Sequence, residues 1–161
     1  MGNIKIRAEI MKIIQDDLSH PAVQALLALH LQGMMANSPP ESVYALDLSG
    51  LQQDGVTVWT LWDNKQVLGC GALHELSPTL AEVKSMRTHP DHLRKGVGAK
   101  LLEHMLQTAR KRGYKTLSLE TGTGEDFEAA VTLYKKYGFK NGGVFSDYED
   151  SDFNQFLHLD I

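Results

Sequence analysis

The sequence predicts a single α/β domain: helices first, a meandering hairpin sheet next, then one strand-helix-strand-helix unit. Three observations carry this reading. Apolar residues recur at helical spacing in two stretches, Val23 to Met34 and Val97 to Ala109, whereas between them, from Val56 to Thr88, the period falls to two. Glycine and proline punctuate the places where the period changes. A chain of 161 residues, 42% hydrophobic and 22% charged, is also long enough for one proper core and short for two.

Along "IKIRAEIMKII", Ile4, Ile6, Ala8 and Ile10 alternate, which predicts a first strand, with residues 1–10 as a flexible extension being the other reading. Pro21 follows Ser19 and His20 as a first-turn proline does, and Val23, Leu26, Leu27, His30, Leu31 and Met34 form one stripe of a helix ending near Asn37. "NSPPES" is a rigid loop, after which Pro40 or Ser42 opens a shorter helical piece through "SVYALDLSGL", closed at Gly50. "VTVWTLWD" (Val56 to Asp63), the tight turn "NK" and "QVLGCGALHEL" (Gln66 to Leu76) spell a β-hairpin. Ser77-Pro78 separates it from a third strand, Leu80 to Thr88. Val97, Leu101, Leu102, Met105, Leu106 and Ala109 then line one face of a second long helix, which starts at Gly96 and stops at Gly113. A strand over Lys115 to Thr121, the loop "GTGED", a helix from Glu125 to Tyr137 ended by Gly138, and two strands in "FKNGGVF" and "DFNQFLHLDI" joined by an acidic loop complete the chain.

Charge and composition exclude several partners. A net charge of -4 with no basic tract makes a long polyanion such as nucleic acid a poor partner. No apolar stretch reaches the ~18 residues of a membrane span. The start "MGNIKIRAEI" lacks the apolar run of a signal peptide, and Ile6 stands where a myristoylation signal wants Ser or Thr. The lone Cys70 rules out an internal disulfide framework, so a reducing cytoplasm is the expected location.

The chemistry concentrates in "HPDHLRKGVGAKLL", His89 to Leu102. A strand, then Arg94-Lys95-Gly96-Val97-Gly98-Ala99, then a helix aims several unpaired backbone N–H groups at one point, where the helix dipole adds positive potential. Such a point wants an anion: the glycines let a bulky phosphate approach the main chain, and Arg94 and Lys95 add charge-assisted contacts. A bare G-x-G is equally the mark of a solvated turn. The P-loop pattern is absent, and neither Gly96-Val97-Gly98 nor Gly122-Thr123-Gly124 extends to G-x-G-x-x-G, so nucleotide hydrolase and dinucleotide readings lose support.

Two linked motifs sharpen the reading. Leu93-Arg94-Lys95-Gly96-Val97-Gly98 falls on the acetyl-CoA signature [Q/R]-x-x-G-x-[G/A], with Leu93 in place of Gln or Arg, and "AVTLYKKYGF", Ala130 to Phe139, matches A-x-x-L-Y-x-x-x-G-F. In both, the sequence resembles the GNAT superfamily of N-acetyltransferases, over roughly Val56 to Phe145. The resemblance implies a mixed, mostly antiparallel sheet of six to seven strands flanked by about four helices. It implies acetyl-CoA as co-substrate and no metal, with the pyrophosphate on the amides from Arg94 through Ala99 (Arg94, Lys95, Gly96, Val97, Gly98, Ala99). The pantetheine arm then lies beside Met86-Arg87-Thr88 as an added strand would. "KSMRT" is too polar for a strand buried on both faces, and an edge facing a ligand accounts for it. Phe127 stands where an Asn of the family often helps hold the cofactor.

Acetyl transfer to an amine makes three demands. The acceptor amine, with a pKa of ~10 if it is lysine-like, must lose a proton; the thiolate must gain one; and the developing oxyanion needs a donor. The resemblance implies a backbone N–H between Lys84 and Thr88 for the last demand, and it places Tyr134 near the sulfur as general acid. The resemblance also implies Glu82 as base acting through water, since some members carry a catalytic glutamate at this position, fourteen before Gly96, and Glu120 stands in reserve. Alternation along "AEVKSMRT" puts Glu82, Lys84, Met86 and Thr88 on one face, and a Lys84-paired glutamate is the plain alternative for Glu82.

For the acceptor, the resemblance points to the first helices and the loop between them, hence to His30, Ser42 and Tyr44, although a helix stripe and a cap account for His30 and Ser42 equally. Arg87 and Lys84 suit an acceptor with a carboxylate. Cys70 reads as a small packed residue, His89-Pro-Asp-His92 as a solvated turn, and Trp59 and Trp62 as packing. The expected function is acetyl transfer from acetyl-CoA to a primary amine of a small molecule or peptide. The alternatives are a CoA-binding or protein-interaction module without turnover and a nucleotide-binding regulator. A homodimer paired through the last strands is open.

Overall fold

The computed structural model describes residues 11–161, so the alternating run from Ile4 to Ile10 lies outside the described residues. The helices are α1 (Pro21–Asn37), the one-turn α2 (Leu48–Leu51), α3 (Val97–Lys111) and α4 (Glu128–Lys136). The strands are β1 (Met11–Gln15), β2 (Val56–Asp63), β3 (Gln66–Glu75), β4 (Leu80–Thr88), β5 (Thr116–Gly122), β6 (Lys140–Gly142) and β7 (Asn154–Asp160). Among the described residues they form one sheet of seven strands in the order β1-β2-β3-β4-β5-β7-β6. Every pairing is antiparallel except that of β4 with β5. A parallel neighbour needs a crossover, and α3 supplies it.

Helical spacing reads out as burial. In α3 the buried residues are Val97, Leu101, Leu102, Met105, Leu106 and Ala109, and they pack with Trp59, Leu61, Leu73, Val83 and Leu117 on one sheet face. The opposite face carries α1, whose Val23, Leu26 and Leu27 meet Val58, Trp62, Val67, Cys70 and Ala72. Trp59 and Trp62 therefore serve opposite cores, as the strand's alternation requires. Leu101 is wholly enclosed; Leu101→Ala is expected to cost about 2–5 kcal/mol, read as a fall in the urea midpoint at unchanged slope.

One expected helix is absent. The stretch from Pro40 to Leu51 is a 3-10 turn at Pro40–Ser42 and the single turn α2, with Val43 to Asp47 carrying no helix. Asp47 is the reason for the restart: its Oδ1 accepts from Gly50 N at 2.8 Å and from Ser49 Oγ at 2.9 Å, an N-cap set in mid-segment. Likewise the first turn of the expected helix at Glu125 is a 3-10 turn, Glu125–Phe127, and α4 proper begins at Glu128.

The decisive feature for the site lies between β4 and β5. They pair only at Leu80↔Thr116, Ala81↔Leu117 and Glu82↔Ser118, after which β5 continues to pair with β7 while β4 keeps only β3. From Lys84 onward β4 is an edge, although it sits in the middle of the sheet order. This is where "KSMRT" falls.

Candidate active site

The splayed strands open a cavity of about 180 Å³, walled by α1, β4, β5, α4 and the Tyr44-Ala45 segment. Of the residues singled out from sequence it gathers His30, Tyr44, Glu82, Lys84, Met86, Arg87, Glu120, Phe127 and Tyr134. Ser42 is not on its wall: the residue is buried in the 3-10 turn, so the expected acceptor contact is corrected. Thr88 and the run Arg94 to Ala99 do not line the cavity either. They stand next to it, because the position a Cβ on Gly98 would take lies 3.1 Å from Leu133, the neighbour of Tyr134, and 3.9 Å from the Thr88 hydroxyl.

The start of α3 has the expected shape. Arg94 (φ 64) and Gly96 (φ 76) are both left-handed, and nothing lies within 4 Å of where a Gly96 Cβ would be. No side chain caps the helix, and its ladder begins with Lys100 N donating to Gly96 O at 3.0 Å, which leaves the amides of Val97, Gly98 and Ala99 ahead of it. Two left-handed turns before an uncapped helix make a concave nest for an anion, flanked by exposed Arg94 and Lys95. The nest fits a diphosphate, and the unpaired β4 edge fits an extended amide-bearing arm.

A bulge overturns the expected alternation on β4. Cys70 pairs with Arg87 and Ala72 with Lys84, so one residue of β3, Gly71, opposes two of β4, Ser85 and Met86, and Ser85 takes φ 55. The Cys70 thiol donates to the Ser85 carbonyl at 3.2 Å, and its burial pushes the thiol pKa up to about 12, which keeps it protonated and unreactive. Past the bulge the parity changes. Met86 turns to the α3 side, its sulfur 2.6 Å from where a Gly71 Cβ would be, and Thr88 faces Gly98, while Arg87 joins Glu82 and Lys84. Met86 and Thr88 thus leave the face expected for them. No periodicity argument reaches this, because one inserted residue reverses every side chain beyond it.

Glu82 is 3% exposed and paired: Lys84 Nζ donates to its Oε2 at 3.3 Å, and the Tyr148 hydroxyl donates to the same oxygen. Lys84 Nζ also donates to the Tyr148 oxygen at 2.7 Å. Tyr148 was not foreseen. It comes from the acidic loop "SDYEDSD", which carries no motif, and only the chain's return places it against Tyr44, ring centroids 4.8 Å apart. Burial and the Glu82 charge hold its phenol well above the ordinary tyrosine range, as a donor.

Glu120, on β5, differs. Burial raises its carboxyl to about 7, an effect partly offset by Asn154 and Lys84 and reinforced by Glu82. Tyr134, on α4, is buried with its ring edge-on to Phe139, and desolvation holds the phenol well above its ordinary value. Among the described residues no hydrogen bond engages its hydroxyl. Phe127 supplies an apolar wall, edge-on to Phe153. His30 is driven down to about 4 by burial and by the Arg87 and Lys84 charges; it is neutral, and its Nδ1 accepts from Arg87 Nε at 3.0 Å.

The arrangement has relatives. The uncharacterized N-acetyltransferase YedL of Escherichia coli (strain K12) is 48% identical over 146 residues, which span 91% of this chain and 92% of that protein. An acyl-CoA N-acyltransferase from Klebsiella pneumoniae subsp. pneumoniae superposes with a TM-score of 0.78 at 26% identity, covering 94% of this chain and 97% of the other. A GNAT family acetyltransferase from Elizabethkingia anophelis with acetyl-CoA bound shares the fold at a TM-score of 0.71 and 18% identity, covering 95% and 99%. The family model for the acetyltransferase (GNAT) family matches residues 23–139, from α1 to the residue that closes the second motif. With the nest, the split β4 and β5, and a family match over most of its length, the chain belongs to the GNAT family of acetyltransferases, enzymes dependent on acetyl-CoA.

Proposed function

We propose that the chain moves the acetyl group of acetyl-CoA to a primary amine of a small molecule or peptide by direct attack, with Glu120 as base and Tyr134 as acid. The observation that carries this is the convergence of Glu120 and Tyr134 on one cavity beside the α3 nest. Bound acetyl-CoA supplies an activated thioester. The amides of Val97, Gly98 and Ala99, with Arg94 and Lys95, hold its diphosphate, and the free edge of β4 from Met86 to Thr88 orients its arm. Glu120 takes the proton that the ammonium must lose, for which a carboxyl titrating at about 7 is well placed near neutral pH. Tyr134, kept protonated by burial, returns a proton to sulfur.

Glu82, the base expected from sequence, is here a positioning residue. Its Oε2 is held by Lys84 and Tyr148, which fixes Tyr148 and the Tyr44 segment as a wall. His30 and Tyr44 complete the acceptor side of the cavity.

The test is a panel of primary amines with the purified chain and acetyl-CoA, following free CoA and acetylated product by mass spectrometry. Product from at least one amine, with saturable CoA binding by calorimetry, is the expected result. CoA binding with no release above background hydrolysis for any amine replaces this reading with a binding module. Absence of binding removes both.

A further inference from the structure

We propose that the acceptor is an amino-acid-like molecule, carrying a carboxylate beside its amine, and that Arg87 receives that carboxylate. This rests on the acetyl-transfer reading above and names its acceptor class.

Arg87 is half-buried and lines the cavity, yet its partners are neutral: Nε donates to His30 Nδ1 at 3.0 Å and Nη2 to the His30 carbonyl at 3.3 Å. Among the described residues no carboxylate forms an ion pair with it, and Nη1 has no hydrogen-bond partner. A guanidinium withdrawn from water without a counter-ion is costly, and burial indeed lowers its pKa from the ordinary value. The structure nevertheless makes room for it. Gly33 sits inside α1, where glycine is less favourable than alanine. A Cβ there would stand 2.7 Å from Arg87 Nη2. Alanine would strengthen the helix and displace the guanidinium.

Lys84, the other cation on this face, is occupied by Glu82 and Tyr148, so it is not the receiver. The Ser85 hydroxyl, buried on the same cavity with no partner among the described residues, is a second donor left without an acceptor. On the β5 side of the same cavity stand two carboxylates, Glu120 on β5 and Asp126 in the 3-10 turn that follows it. The cavity is therefore bipolar, with a forked cation on the α1 side and acidic groups on the β5 side. A molecule with an ammonium and a carboxylate matches both ends, whereas a polyamine leaves Arg87 unpaired. A site built around such a donor also rejects analogues that lack the acceptor group.

The test uses matched trios of an L-amino acid, its carboxamide and its decarboxylated amine, over a range of side chains. Binding to the CoA-saturated protein is measured by calorimetry and kcat/KM by CoA release. In at least one trio the carboxylate member is expected to win by about 10-fold or more in both measurements. Arg87→Gln brings that ratio towards one. Gly33→Ala does the same while its thermal midpoint holds or rises, so the loss cannot be laid to unfolding. Equal binding within every trio, or a ratio that survives both substitutions, overturns the proposal. Discrimination in binding without acetylated product leaves the carboxylate site standing and removes the acetyl-transfer reading; product formed equally from all three members does the reverse.

Discussion

Tyr134→Phe is expected to lower kcat by about 10²- to 10⁴-fold, the usual worth of a positioned proton donor. The phenol sits in an apolar wall, edge-on to Phe139, and burial holds it far above the tyrosine value of ~10, so at working pH it always carries its proton. Phenylalanine keeps the ring and that packing. Stability and CoA affinity should therefore stay near wild type, and the whole loss should fall on kcat rather than on KM. A kcat within twofold of wild type would assign the protonation of sulfur to solvent and leave Tyr134 as a packing residue.

Glu120→Gln gives the second large effect, and it separates function from stability. In wild type, kcat should climb with pH through about 7 as the carboxyl loses its proton, then level off. The variant loses that limb together with about 10²-fold or more of its rate. For stability the sign is opposite. The folded-state pKa of about 7 lies above the ordinary value of 4.5, so between the two the native state binds more protons than the unfolded chain, and stability falls as pH rises through that window. Glutamine mimics the protonated form. Glu120→Gln should therefore be indistinguishable in stability from wild type below about 4.5 and more stable above about 7, measured by denaturant titration at both ends. A variant that loses activity and also loses stability at high pH would mean that the charged carboxylate is structural.

Much of the site was legible, and the reasons are local. The α3 nest depends on backbone conformation and on glycine, both written in "RKGVG", so the motif finds it without knowledge of what lies around it. Tyr134 follows because one helical motif carries it, and the polarity of "KSMRT" foretold an unpaired edge on β4. What was not legible has equally physical reasons. Glu82 was expected as base, with a Lys84-paired carboxylate as the alternative; the structure pairs it with Lys84 and also with Tyr148, from a loop 66 positions later. Ser42 was expected at the acceptor because the resemblance places the region between the first helices there, but the 3-10 turn tucks it into the protein.

What the chain determined by itself is whatever neighbours along the backbone decide: the periods of α1 and α3, the hairpin, the glycine nest and the motif that names the family. The cavity belongs to the tertiary structure alone. It exists because β4 leaves β5 after three pairs, and because one extra residue at Ser85 turns Arg87 onto the face of Glu82 and Lys84. Burial then raises Glu120 and silences His30. Desolvation and charge at a point are sums over side chains brought from distant parts of the chain, and no local pattern records them.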